Sequence, residues 1–422
     1  MRNNSTLISL QAARLLLITA ACFGTFFESD VSAKVRLPAL FADNMVLQQE
    51  KSVPVWGWAD EGELVVVQYR GQVKTTRAKN GKWLVRLSAM KASSQPFILA
   101  VFGDNMIELN NVVVGEVWLA SGQSNMQWPL LRTDNWTKAA ASSTNPNLRL
   151  FYVPRIKSPK PLEDLQGEHL GDKPRWMRSG PDSTPEFSAV AYYFARDLQK
   201  ALNVPVGIIH TSWGGSPAEV WMSESVLLKS PEYRKEILGK YENALKNYQE
   251  SKAKWDVEQS QLKVKGQKST GRAPRMPWRP SELYNAMIHP LIPYAFRGAI
   301  WYQGEANAGR AWQYRSLFPD MISDWRRNWG QGQFSFLAVE LAPWDFNRRR
   351  DLAEITRKQV DSTWGELREA QIHATKVLGD VATVTITDVG NKDDIHPTNK
   401  EPVGARLALA ARGSVYRERI VW

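Results

Sequence analysis

At 422 residues the chain has the length of two to three domains with a large core, which excludes a small disulfide-stapled scaffold. Its formal net charge is +11, but Lys and Arg are dispersed among acids. The densest clusters, Arg326-Arg327 and Arg348-Arg349-Arg350, suit solvated faces better than a nucleic-acid groove, and no nucleic-acid module signature accompanies them.

In chain order, residues 1–33 read as a secretory signal peptide. Arg2 and Arg14 precede the apolar run Leu15 to Phe27, and Val31-Ser32-Ala33 offers small residues for cleavage. The run is too short to span a membrane, so export to the periplasm or the extracellular space is expected, with no stable membrane insertion. Cys22, the single cysteine, lies in this leader. The rest of the chain therefore has neither a disulfide nor a Cys-based metal site.

Residues 34–112 alternate short apolar runs with turn signals: Val53 to Trp58, Leu64 to Tyr69, Trp83 to Leu87 and Phe97 to Val101. They read as an antiparallel, β-sandwich-like domain, with a hairpin turn at Asn80-Gly81, where both residues tolerate positive φ. From 113 to 422 strands alternate with helices, which predicts an α/β domain on a parallel sheet. Its expected strands are Val117 to Ala120, Leu148 to Val153, Val206 to Ser212, Gly298 to Tyr302, Phe334 to Leu341 and Ala382 to Thr387. A helix is predicted to start near Ser183-Thr-Pro-Glu186, to carry Val190, Phe194 and Leu198 on one face, and to stop near Asn203. The polar, lysine-rich stretch at about 230–280 reads as an exposed helical insertion with a loop-like tail.

Four segments at predicted strand ends could carry chemistry. The first is Gly115 to Gln127, an apolar run ending in Gly-Gln-Ser124-Asn, where a tight turn would expose the Ser124 hydroxyl beside free backbone N–H groups. The second is Trp213-Gly-Gly-Ser-Pro-Ala-Glu219, whose glycines permit close backbone approach to a ligand. The third, Trp301-Tyr-Gln-Gly-Glu-Ala-Asn307, offers the Gln303 amide and Glu305. The fourth, Asp393-Asp-Ile-His-Pro397, holds His396 in a loop just before a helix, with carboxylates two and three residues upstream that could orient it. Ligands bind at this edge of open α/β sheets.

Together these blocks, with the opening Leu40-Phe-Ala-Asp-Asn-Met-Val-Leu-Gln48, resemble the sialate O-acetylesterase family, a branch of the SGNH hydrolases. The resemblance implies a three-layer α/β/α catalytic domain, with Ser124 as nucleophile and His396 as base. The broader SGNH spacing selects Asp393 as the triad acid, while the Asp-Ile-His-Pro form draws attention to Asp394. It also implies an oxyanion hole from the N–H groups of Ser124 and Gly215, or alternatively Gly214, with the Gln303 side chain as a further donor. Gln123, Asn125, Trp213 and Glu305 are expected to face substrate. No metal or cofactor is required. The implied activity is removal of O-acetyl groups from a carbohydrate, either acetylated sialic acid or a related glycan. An acetylxylan-type esterase and a non-catalytic carbohydrate-binding protein are the alternatives.

Overall fold

The computed structural model describes residues 34–269, 271–345 and 362–422. The expected signal peptide with Cys22 and the Arg348-Arg349-Arg350 cluster lie outside these residues. Six strands come first: β1 (Val46–Gln48), β2 (Val53–Trp58), β3 (Leu64–Tyr69), β4 (Gln72–Arg77), β5 (Lys82–Leu87) and β6 (Ser93–Phe102). In β3 and β5 alternate residues are buried, the pattern of strands with one face on a core. Asn80 and Gly81 take φ of +54° and +72°, as the turn signal requires. The strand after that turn, β5, pairs with β2, whereas β4 pairs with β3.

The organising element is β7 (Met106–Gly122), which is buried without a break from Val112 onward. Its first half pairs antiparallel with β6, and Val113 to Gly115 pair parallel with β1. Its second half lies at the centre of a sheet completed by β8 (Asn145–Tyr152), β9 (Trp176–Ser179), β10 (Val206–Ser212), β11 (Gly298–Tyr302), β12 (Ser335–Val339) and β13 (Val381–Val384). The order is β13-β12-β11-β7-β10-β8-β9, parallel throughout except for β9. This is the α/β class read from the sequence, with an antiparallel layer at its N-terminal end. Residue 112, the expected domain limit, falls inside β7.

Register places the site. Gly122 is level with Ser212 of β10 and with Tyr302 of β11, so the turns that follow three adjacent strands emerge at one edge. At the start of the parallel segment, the buried Glu116 carboxylate is held by Arg297 through two bonds of 2.8 Å and also accepts from Gln48 and Gln49.

The helices include a single turn, α1 (Ser124–Gln127), then α2 (Ala189–Leu202), α3 (Lys240–Val264), α4 (Ala311–Trp329), α5 (Thr363–Val377) and α6 (Glu401–Ala410). α2 packs against α6, and α4 against α5. α2 begins later than its sequence signal, because Ser183 spends its hydroxyl on Gly180 N–H and Arg178 O in a turn. Ser188 caps the helix instead, accepting from Ala191 N–H. Asn203 ends it at φ +53°. α3 buries none of its residues, as expected of an exposed insertion. Among the described residues no helix is long and apolar enough to cross a membrane.

Candidate active site

Gly122 ends β7 at φ +139°, and a Cβ there would lie 2.2 Å from the Tyr302 carbonyl oxygen. That oxygen accepts the Gln123 N–H at 2.9 Å. Only glycine fits so close a crossing, and it turns the chain so that α1 starts at the half-buried Ser124. The Gln123 side chain is directed inward, accepting from Ala306 N–H at 3.2 Å and Gly304 N–H at 3.5 Å, and so braces this turn against the one after β11.

His396 approaches from the loop between β13 and α6. Its Nε2 is 2.9 Å from Ser124 Oγ, across 272 residues of sequence. The imidazole stacks on Trp128, with centroids 4.9 Å apart and planes 15° from parallel. Burial pushes its pKa below the ordinary histidine value, and the Lys400 charge pushes it further down, against the opposing pull of Asp394. Both effects favour the neutral imidazole.

The acid beside His396 is Asp394. Its Oδ1 accepts the His396 backbone N–H at 2.9 Å and lies 3.7 Å from His396 Nδ1. The Asp393 carboxylate instead ion-pairs with Lys392 at the exposed side of the loop. The spacing that favours Asp393 assumes a loop path that this chain does not take.

Of the two glycines, Gly214 is the one at the serine. A Cβ on it would stand 3.2 Å from Ser124 Cβ, whereas Gly215 is exposed at φ +76° with open space around it. The Gly214 N–H donates to Gln127 Oε1 at 2.6 Å. Gln303 does not reach the serine. It is fully buried, with Nε2 donating to Asn307 Oδ1 at 2.7 Å and to Ser216 O at 3.3 Å, while its Oε1 accepts from Tyr314 Oη. It ties the turns after β10 and β11 together.

Asn125 and Glu305 are likewise structural neighbours of the serine turn, not open to a ligand as expected. Asn125 Nδ2 donates to Glu305 Oε1 at 2.6 Å and to Ile395 O at 3.0 Å, which fastens the serine turn to the residue before His396. Asn125 Oδ1 accepts from the Lys400 ammonium, which is buried 5.5 Å from the Tyr302 ring centroid. Burial brings the Lys400 pKa down to about 7 and raises that of Glu305, whose Oε2 is buried with no hydrogen bond among the described residues.

Trp213 is half-buried beside the serine turn, its backbone N–H donating to Gly122 O at 3.1 Å. It meets Trp278 edge-on at 5.6 Å, and Lys157 Nζ lies 3.9 Å from the Trp278 centroid while pairing with Glu282 at 2.9 Å. Trp278 comes from the tail of the lysine-rich insertion, which thus reaches the side of the site. Among the described residues no group of three or more His, Cys, Asp or Glu is placed to hold a metal ion.

A family profile described as carbohydrate esterase, sialic acid-specific acetylesterase, matches residues 269–412, which include His396 but not Ser124. The sialate O-acetylesterase of Mus musculus is 32% identical over 415 residues, covering 90% of this chain and 74% of its own. That of Homo sapiens is 30% identical over 421 residues, covering 91% and 72%. The chain belongs to the sialate O-acetylesterase family.

The crystal structure of a carbohydrate acetylesterase from Xanthomonas citri agrees with this placement, with a TM-score of 0.74 at 36% identity over 92% of this chain and 77% of that one. As a member of the sialate O-acetylesterase family, the chain is an ester hydrolase. Sequence reasoning missed four of its site residues: Gln127, Trp128, Lys400 and Trp278. The first two follow Ser124 within one helical turn and Lys400 follows His396 by four residues, so adjacency was the available signal. Trp278 carried none, because it reaches Trp213 only through the return of the insertion.

Proposed function

We propose that the protein is an exported serine esterase that removes O-acetyl groups from carbohydrates, with acetylated sialic acid or a related glycan as substrate, through an acetyl-serine intermediate. The observation that carries the reading is the 2.9 Å contact between Ser124 Oγ and His396 Nε2. A neutral imidazole in that position accepts the hydroxyl proton as the oxygen attacks the acetyl carbonyl. The N–H groups of Ser124 and Gly214 face the developing oxyanion, and Asp394 steadies the imidazolium. His396 then returns the proton to the departing sugar alcohol. Water repeats the sequence on the acetyl-enzyme and releases acetate.

Support for a sugar substrate comes from the family and from the aromatic corner of Trp213 and Trp278, a surface on which a pyranose face can stack. Lys157 at that corner and Arg132, 5.8 Å from the Trp128 ring centroid, place cations on two sides of the site, which suits an acidic sugar. Export rests on the leader alone, and an N-terminus at Lys34 on the cell-free or periplasmic protein would bear it out.

The test is acetate release from acetylated sialic acids, acetylated xylan fragments and a chromogenic acetate, with Ser124→Ala as the control. Release that requires Ser124, and is fastest with the sialic acids, supports the reading. Preference for xylan fragments moves the substrate to plant polysaccharide. Equal release by Ser124→Ala removes the serine from the mechanism.

A further inference from the structure

The oxyanion hole described above holds two backbone donors, and one of them is already engaged. The Gly214 N–H, beside Ser124, is bonded at 2.6 Å to the carboxamide oxygen of Gln127. An acyl oxygen activated for attack by Ser124 must take that N–H, so Gln127 Oε1 sits in its place. Gln303 supplies no donor, since both of its amide hydrogens are spent on Asn307 and Ser216. Asn125 is spent in the same way, on Glu305 and Ile395 O.

Gln127 differs from both. It closes the helical turn that Ser124 opens, three residues on, which places the two side chains on one face. It is half-buried, and its Nε2 donates to no other described residue. A carboxamide carries an acceptor and a donor at nearly the same positions, and its terminal torsion is broad, so a half-turn exchanges one for the other.

We infer that Gln127 is the third oxyanion donor of this esterase: its oxygen caps the Gly214 N–H in the free enzyme, and the acyl oxygen displaces it and then accepts from its Nε2. The inference rests on Ser124 being the nucleophile. The exchange keeps Gly214 hydrogen-bonded when no substrate is present and adds a donor only when an acyl oxygen arrives.

A fluorophosphonate probe tests it without needing the right sugar. Ser124 Oγ attacks phosphorus, its proton passes to His396, the P–F bond breaks and fluoride leaves, while the phosphoryl oxygen occupies the oxyanion hole. The rate of adduct formation is followed by intact mass on the full chain, for the wild type, Ser124→Ala, Gln127→Ala and the isosteric Gln127→Glu, together with acetate kinetics and Tm. Loss of one such donor is expected to slow phosphonylation and kcat by about a hundredfold, with KM little changed and Tm preserved. Gln127→Glu, which can only accept, is expected to be at least as slow. Wild-type rates in either folded variant, or faster labelling of Gln127→Ala, would make Gln127 a bystander or a mere plug and overturn the inference while leaving the esterase reading intact. If Gln127→Ala fails to fold, Gln127→Glu decides alone. A wild-type chain that neither labels nor releases acetate sinks both.

Discussion

Asp394 reaches His396 by closing a short turn. Its Oδ1 takes the backbone N–H two residues on, and that bond leaves the same oxygen 3.7 Å from Nδ1, near enough to tighten when the imidazole becomes charged. Asp394→Asn is expected to lower kcat by about tenfold or more, short of the ~10⁴ seen for fully buried triad acids because this side chain is half in water. Asp393→Asn should leave kcat within about twofold, because it loses only an exposed ion pair. The reverse ranking in steady-state kinetics would return the role to Asp393. Lys400 sets a second expectation. It is protonated below about pH 7, so its charge is present over the range in which His396 titrates, and it helps hold the imidazole neutral. The acid limb of kcat/KM should therefore fall below the ordinary histidine value of about 6.5. In Lys400→Met that limb should move to higher pH, and an unmoved limb would remove Lys400 from the electrostatics of the site. Ser124 and His396 were legible as residues because their motifs are local. The choice among neighbouring acids and glycines was not, since it turns on which way each loop bends.

At the level of elements, β10 and β11 fall where the sequence placed them, because each is a continuous apolar run bounded by turn residues. Pairing was harder to read. The Asn80-Gly81 turn forms, yet β5 leaves β4 and pairs with β2, a choice made by non-local packing. Thr398 and Glu401 have the sequence spacing of a capping box, yet the box does not form. α6 begins at Glu401 with no side-chain cap, behind a Lys400 drawn inward to Asn125. Glu116 on β7 shows how strongly one such element depends on its neighbours. Its carboxylate is wholly buried and its charge is answered by Arg297. Arg297→Ala leaves that charge unpaired in the interior and is expected to cost about 3–5 kcal/mol of folding stability, read from urea unfolding. A loss under about 1 kcal/mol would mean that Gln48 and Gln49 suffice to hold the carboxylate.

Across the whole molecule, the α/β class was readable from the alternation of strands and helices, while the strand order was not, because adjacency in a sheet is decided by crossovers that periodicity does not record. The abundant tryptophan was equally ambiguous. Trp118, Trp176, Trp221, Trp301 and Trp325 are core, whereas Trp128, Trp213 and Trp278 line the site, and composition cannot separate the two groups. β7 has one more consequence. It is at once a member of the antiparallel layer and the strand that leads into the Ser124 turn, so a fragment starting at residue 113 would lack the first part of that strand and most of its pairing with β6. Exchanging the N-terminal layer as a cassette would therefore cut through the strand that leads to Ser124.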